Sequence, residues 1–188
     1  MRIASPGPAA ALGAAVALAL SLSLAACAPD PAPITLPPQP TSTPLFASDE
    51  EALAAAEEVY SSYVRASNLL AQSGWLDYSD LAEVTTPELM AEIRSYSDGQ
   101  SETGSRQVGD TQSFVHSLQS FRQNGDTAVV TVYVCIDLSD ARLISAEGLD
   151  ITPDGRVDML PSVVELVATE DQSLRVNEDD KWDGPLSC

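Results

Sequence analysis

The chain is short of what most metal, redox and nucleic-acid chemistry needs. Its 188 residues hold one histidine, His116, and three cysteines, none of them arranged as Cys-x-x-Cys. Zinc centres draw on several His and Cys ligands, so no metal site is expected. Without the dithiol motif, the usual means of depressing a thiol pKa is missing as well. No Gly-x-Ser-x-Gly elbow presents a nucleophilic serine, and no cofactor motif is visible. Basic residues are scarce: nine Lys and Arg face 28 Asp and Glu, for a formal net charge of −19. Nucleic-acid binding rests on neutralising phosphates with basic side chains, so no nucleic-acid partner is expected. The same imbalance argues against lying flat on anionic headgroups. Its simplest role is to keep a surface protein soluble.

What is present begins with an address. Arg2 and the free amine give a short positive end, and no charged residue follows between Ala9 and Ala26. A positive start, an apolar stretch and small residues before a cut describe a secretory signal over residues 1–26. Its ending, Leu24-Ala25-Ala26-Cys27, resembles the lipobox of bacterial lipoproteins. That resemblance implies a diacylglyceryl group on Cys27, cleavage before it, and a protein held at the cell membrane facing the extracellular side. Two acyl chains suffice for stable anchoring.

Residues 27–46 then read as a tether. Seven prolines lie between Ala28 and Phe46, and proline, lacking an N–H and fixed in φ, interrupts both helix and sheet. In extended polyproline geometry the segment reaches on the order of 60 Å.

Residues 47–188 remain for a core, about 142 residues, near the usual size of one domain. Ser48-Asp49-Glu50-Glu51 is a capping box, with Ser48 on the Glu51 amide and Glu51 reaching back. Leu53, Ala56, Tyr60, Tyr63, Val64 and Leu70 follow at helical spacing to about Gln72, and Gly74 suits a left-handed cap. A short helix is expected within Trp75 to Val84, and another from Thr86-Pro87-Glu88, with Thr86 as cap and Pro87 in the first helical position. Asp98 to Asp110 reads as loop. From Thr111 the period changes. Ser113 to Arg122 and Ala128 to Leu138 read as strands about an Asn124-Gly125-Asp126 turn. Val130, Val132, Val134 and Ile136 share one face of the second strand; Val129, Thr131, Tyr133, Cys135 and Asp137 share the other. Ala141 to Ser145 suggests an edge piece, and Glu147 to Pro161 an irregular excursion. Ser162 to Thr169 and Ser173 to Asn177 suggest a final hairpin. Helices first and antiparallel strands after give an α+β fold with helices on one face of a curved sheet.

That order, with Trp75-Leu76-Asp77 and Thr86-Pro87-Glu88-Leu89 in it, resembles the NTF2-like (cystatin-like cone) superfamily over residues 48–188. The whole resembles small actinobacterial lipoproteins that carry such a domain. The resemblance implies a cone whose interior is lined by strand residues. It leaves function open, because members include isomerases, dehydratases, transport adaptors and proteins with no chemistry. A non-enzymatic binding or interaction module, partnered by an envelope protein, is the leading expectation. A small apolar ligand in the cone is second, and an isomerase- or dehydratase-like enzyme third. His116, which alternates with Phe114 and Leu118, is expected to line the cone with Tyr133 and Asp137. In the enzymatic version Asp137 is the base and Tyr133 the acidic donor.

With Cys27 given to lipid, Cys135 and Cys188 form an even pair in an exported chain and are expected to be disulfide-bonded. Two acidic clusters remain. Asp150, Asp154 and Asp158 are spaced by four, and Glu178, Asp179, Asp180 and Asp183 bunch near the end. Neither matches a calcium loop, and both are expected to be solvated.

Overall fold

A computed structural model describes residues 44–168, 171–186 and 188. The signal segment, Cys27 and the tether as far as residue 43 lie outside the described residues. Ser48 caps α1 (Asp49–Gln72), its hydroxyl accepting from the Glu51 amide at 3.2 Å. Glu51 reaches back one residue further than expected, accepting from the Ala47 amide at 2.7 Å. Phe46, placed by the sequence in the tether, is a core residue. Its amide and carbonyl both bond the side-chain amide of Gln123, and its ring meets Phe121 edge-on at 5.9 Å. The segment before the helix is therefore fixed to the sheet by apolar contact and a paired amide.

The helix α1 ends as the glycine suggests. Gly74 takes φ +77°, and Trp75 follows in the same left-handed region at φ +68°. The Trp75 amide bonds the Leu70 carbonyl at 2.9 Å. The helix predicted within Trp75 to Val84 is shorter, α2 (Ser79–Val84), because the left-handed step and an Asp77 turn onto Ser79 occupy its beginning. Next comes α3 (Pro87–Glu102), capped by Thr86 on the Leu89 amide. It runs a full turn into the stretch read as loop; the serines and Gly99 there lower helix propensity without abolishing it.

The strands are β1 (Arg106–Val108), β2 (Gln112–Asn124), β3 (Thr127–Asp137), β4 (Arg142–Ile144), β5 (Met159–Ala168) and β6 (Leu174–Lys181). An antiparallel sheet of order β2-β3-β5-β6 carries the core, and β1 pairs with β4 in a separate two-stranded sheet. The piece expected at an edge of the main sheet is thus β4, paired with a strand the sequence reading left as loop. The even-numbered face of β3 is buried, with Val130, Val132 and Val134 fully inaccessible. Val164, Leu166 and Val176 of the neighbouring strands complete that layer. Ala52, Ala56 and Tyr60 of α1 pack on it, the alanines letting the helix backbone come close to the sheet.

Three one-residue irregularities interrupt the register of the sheet. Two lie in β2, at His116 and Gln119, and one in β6, at Asn177. An extra residue bends its strand and reverses the side-chain parity beyond it. Hence Val115, Leu118 and Phe121, spaced by three, all reach the core.

Cys135 and Cys188 form a disulfide across a separation of 53 residues. It ties the C-terminal tail to the face of the sheet opposite the helices, where Trp182 also meets Tyr133 at 4.9 Å. Replacing Cys188 by Ser is expected to cost about 2–4 kcal/mol in urea unfolding. Cys135, left alone, behaves as a small buried apolar side chain. An unchanged urea midpoint would show that the tail contributes nothing to stability.

Candidate functional site

The three residues expected to line a pocket do not converge on one. His116 is the extra residue of the first β2 irregularity and is exposed. Tyr133 pairs with Ser117 and Val163 on the face away from the helices. There it lies against Trp182 and accepts from the Gln119 side-chain amide at 3.0 Å. Asp137 ends β3 and accepts from the Ser139 amide at 2.8 Å. Those bonds from Ser139 hold its carboxyl below the usual range, the reverse of what a general base near neutrality needs. Strict alternation along β2 put His116 with Leu118, and the bulge breaks that alternation.

A different group of side chains gathers between α1, α3 and the sheet. The centre is Asp179. Counting by twos from Leu174 and Val176 turns Glu178 inward and Asp179 out. The extra residue Asn177 reverses this: Asp179 stands opposite Val164, on the core face, while Glu178 faces out with Glu165. The irregularity is held in place. The Asn177 side-chain oxygen accepts from Thr86 Oγ1 at 3.1 Å, and its amide donates to Glu165 at 3.2 Å. The Thr86 amide bonds the Val176 carbonyl at 2.9 Å. One threonine therefore caps α3 and locks the bulge that aims Asp179.

Tyr60 Oη donates to Asp179 Oδ2 at 3.0 Å, and Ser162 provides a second hydroxyl. Burial outweighs these two bonds and, helped by the neighbouring charge of Asp180, pushes the Asp179 carboxyl up to about 6. Burial, then the charge of Asp179, holds the Tyr60 and Tyr63 phenols well above their ordinary value, so both stay protonated. Ser67, one turn beyond Tyr63, hydrogen-bonds the Tyr63 oxygen.

Asp179, Tyr63, Ser67 and Trp75 line two adjoining cavities. The larger, about 320 Å³, is walled by Leu70 of α1, Leu81 of α2, and Leu89, Ile93, Tyr96 and Ser97 of α3, with Glu92 at its rim. The smaller, about 190 Å³, runs beneath α1 toward Ile136 and Gln107. A volume of a few hundred Å³, mostly apolar with a few polar groups, is the form of a small-molecule site. Two wall groups are buried without a hydrogen-bond partner, the Trp75 indole Nε1 and the Ser97 hydroxyl. Ser97 has no exposed surface at all.

Among the described residues no group of three or more His, Cys, Asp or Glu side chains is placed to hold a metal ion. Asp150 bonds the Thr152 amide, Asp158 pairs with Arg156, and Asp183 pairs with Lys181. Asp179, grouped by sequence with solvated acids, is the exception. Its signal was the apolar Leu174-x-Val176 pattern leading to it, but the parity could not be read without the bulge.

No family model matches the chain, and no characterised protein matches it in sequence. Among solved structures, the intermembrane space region of the chloroplast protein ARC6 superposes with a TM-score of 0.50. It covers 68% of this chain and 94% of its own, at 15% identity. A de novo designed β-sheet protein aligns over 70% of this chain and 90% of its own, at 15% identity and a TM-score of 0.29. The likeness to the ARC6 region is one of fold, helices against a curved antiparallel sheet.

Two consequences are measurable. Asp179 binds its proton more tightly folded than unfolded, since about 6 lies above the ordinary aspartate value of 3.8. Its contribution to stability therefore falls as pH rises between about 4 and about 6. Asp179→Asn is expected to stabilise the domain by about 1–2 kcal/mol at about pH 7, and to make little difference near pH 4. Urea titrations at the two pH values check this; equal effects at both would show that Asp179 is not desolvated. Ser97→Ala removes a hydroxyl that nothing satisfies. It should be neutral or stabilising by up to about 1 kcal/mol, and a clear loss of stability would mean that the hydroxyl serves the fold.

Proposed function

We propose that this chain is a lipid-anchored envelope protein, held at the extracellular side of the membrane by Cys27, whose domain is a non-enzymatic binding module. The cavity beside Asp179 takes a small, largely apolar ligand. The observation that carries this reading is the Ser97 hydroxyl, buried and without partner in the wall of a 320 Å³ cavity. A fold selected for stability alone has no use for such a group, and buried polar atoms are paired almost without exception. The bent four-stranded sheet with helices on one face supports taking the domain as an NTF2-like cone, with the cavity as its interior.

The isomerase- or dehydratase-like reading gains one point, a desolvated carboxyl near pKa 6 in the role first given to Asp137. One donor speaks against it: Tyr60 spends its hydroxyl proton on the carboxyl itself, so that phenol has none to give to developing charge on a substrate.

The anchor and the cavity are tested separately. Cys27→Ser should move the protein from the detergent-extracted membrane fraction to the soluble one, and intact mass should show diacylglycerol only on the wild type. For the cavity, toluene near saturation should raise the thermal midpoint by mass action. Ser67→Trp, which fills the space, should abolish the increment. A midpoint indifferent to toluene in the wild type would defeat the cavity reading.

A further inference from the structure

Asp179, half-buried against the core face, lacks the cation that a desolvated carboxylate calls for. The three ion pairs among the described residues, Arg156–Asp158, Arg175–Asp171 and Lys181–Asp183, all lie elsewhere. Its two hydrogen-bond donors, Tyr60 and Ser162, are neutral. Neither cavity has a Lys or Arg in its lining, and Glu92 adds a second negative charge at the rim. The field therefore repels anions and leaves a negative group exposed to whatever enters.

The walls around that charge are aromatic. Tyr63, Trp75 and Tyr96 line the larger cavity, with Trp75 and Tyr96 meeting edge-on at 5.6 Å. Aromatic rings beside a carboxylate are the surroundings in which organic ammonium groups are held, through attraction to the ring faces added to the ion pair. Trp75 is set there at some cost, since a bulky side chain at φ +68° is an outlier. Strain of that kind gathers at ligand clamps. Leu70, Leu81, Leu89 and Ile93 supply room for hydrocarbon beyond the charged end.

Resting on the binding reading above, we propose that the cavity binds a small amphiphilic organic amine, its ammonium against Asp179 within the wall of Tyr63, Trp75 and Tyr96.

The test is a head-group series at fixed chain length. The ¹⁵N-labelled full chain carrying Cys27→Ser is titrated at about pH 7.5 with hexylamine, 1-hexanol and hexanoate, following the two indole N–H resonances. Hexylamine should shift the Trp75 resonance and not that of Trp182, and should bind at least about tenfold more tightly than 1-hexanol. Hexanoate should not bind. Asp179→Asn should bring hexylamine down to the affinity of 1-hexanol while leaving 1-hexanol binding in place, which also certifies that the variant is folded. If 1-hexanol binds as tightly as hexylamine, the amine assignment falls and the cavity remains a binding site. If none of the three moves the Trp75 resonance, both readings fall together.

Discussion

The contact on which the candidate site depends is the one between Thr86 and Asn177. Thr86 terminates the α2–α3 connection, caps α3, and bonds both the backbone of Val176 and the side chain of the residue that bulges beside it. Without the bulge, Asp179 would point to solvent with its acidic neighbours and the core layer would end at Val176. With it, a carboxylate enters an apolar interior beneath α1, and the same threonine sets where the α3 wall of the cavity begins. Helix placement and charge placement are therefore one decision, made by a hydroxyl that accepts from one element and donates to another.

This explains which parts of the molecule were legible from sequence. Element order follows from signals that act locally: the Ser48 cap, Gly74 in a left-handed turn, Pro87 in the first helical position, and the Asn124-Gly125 turn. The alternation along β3 was legible for the same reason, because that central strand has no bulge and its parity holds from end to end. The disulfide needed only a count of cysteines and the expectation of export. Sequence alone failed wherever the register slips. His116 was grouped with Leu118 although a bulge separates them, and Asp179 was left among solvated acids although a bulge turns it inward. A slip of one residue costs little in composition and moves every later side chain to the opposite face, so no periodicity taken along one strand can detect it. The pairing of β1 with β4 escaped for a related reason: three-residue strands carry too few residues to show a period.

The two faces of the sheet have separate duties. The face bearing Tyr133, Cys135 and Asp137 receives the C-terminal tail, with Trp182 on Tyr133 and the disulfide closing the contact. The expected site residues on this face are engaged in holding structure. The other face carries the valine layer and, at the β6 end, the opening toward α3. A domain of this size covers its core with one layer of helices, and α1, with Ala52 and Ala56 against the sheet, sits too close to leave space near its start. Further along, α1 carries Tyr63, Ser67 and Leu70, and there the two cavities beside Asp179 lie.

Four departures from the rules of stable folding meet in that space. Asp179 is a desolvated carboxyl without a cation, Ser97 a buried hydroxyl without a partner, the Trp75 indole a buried donor without an acceptor, and the Trp75 backbone is left-handed. Each alone is the kind of imperfection a natural protein tolerates, of order 1–3 kcal/mol. They come from α1's exit, α3 and β6, three segments with no local reason to err together. One further non-glycine residue, Gln172, is left-handed, in the turn before β6 and outside the lining of the cavities. The other departures converge from separate elements on one space, which is what the proposed binding role asks of them.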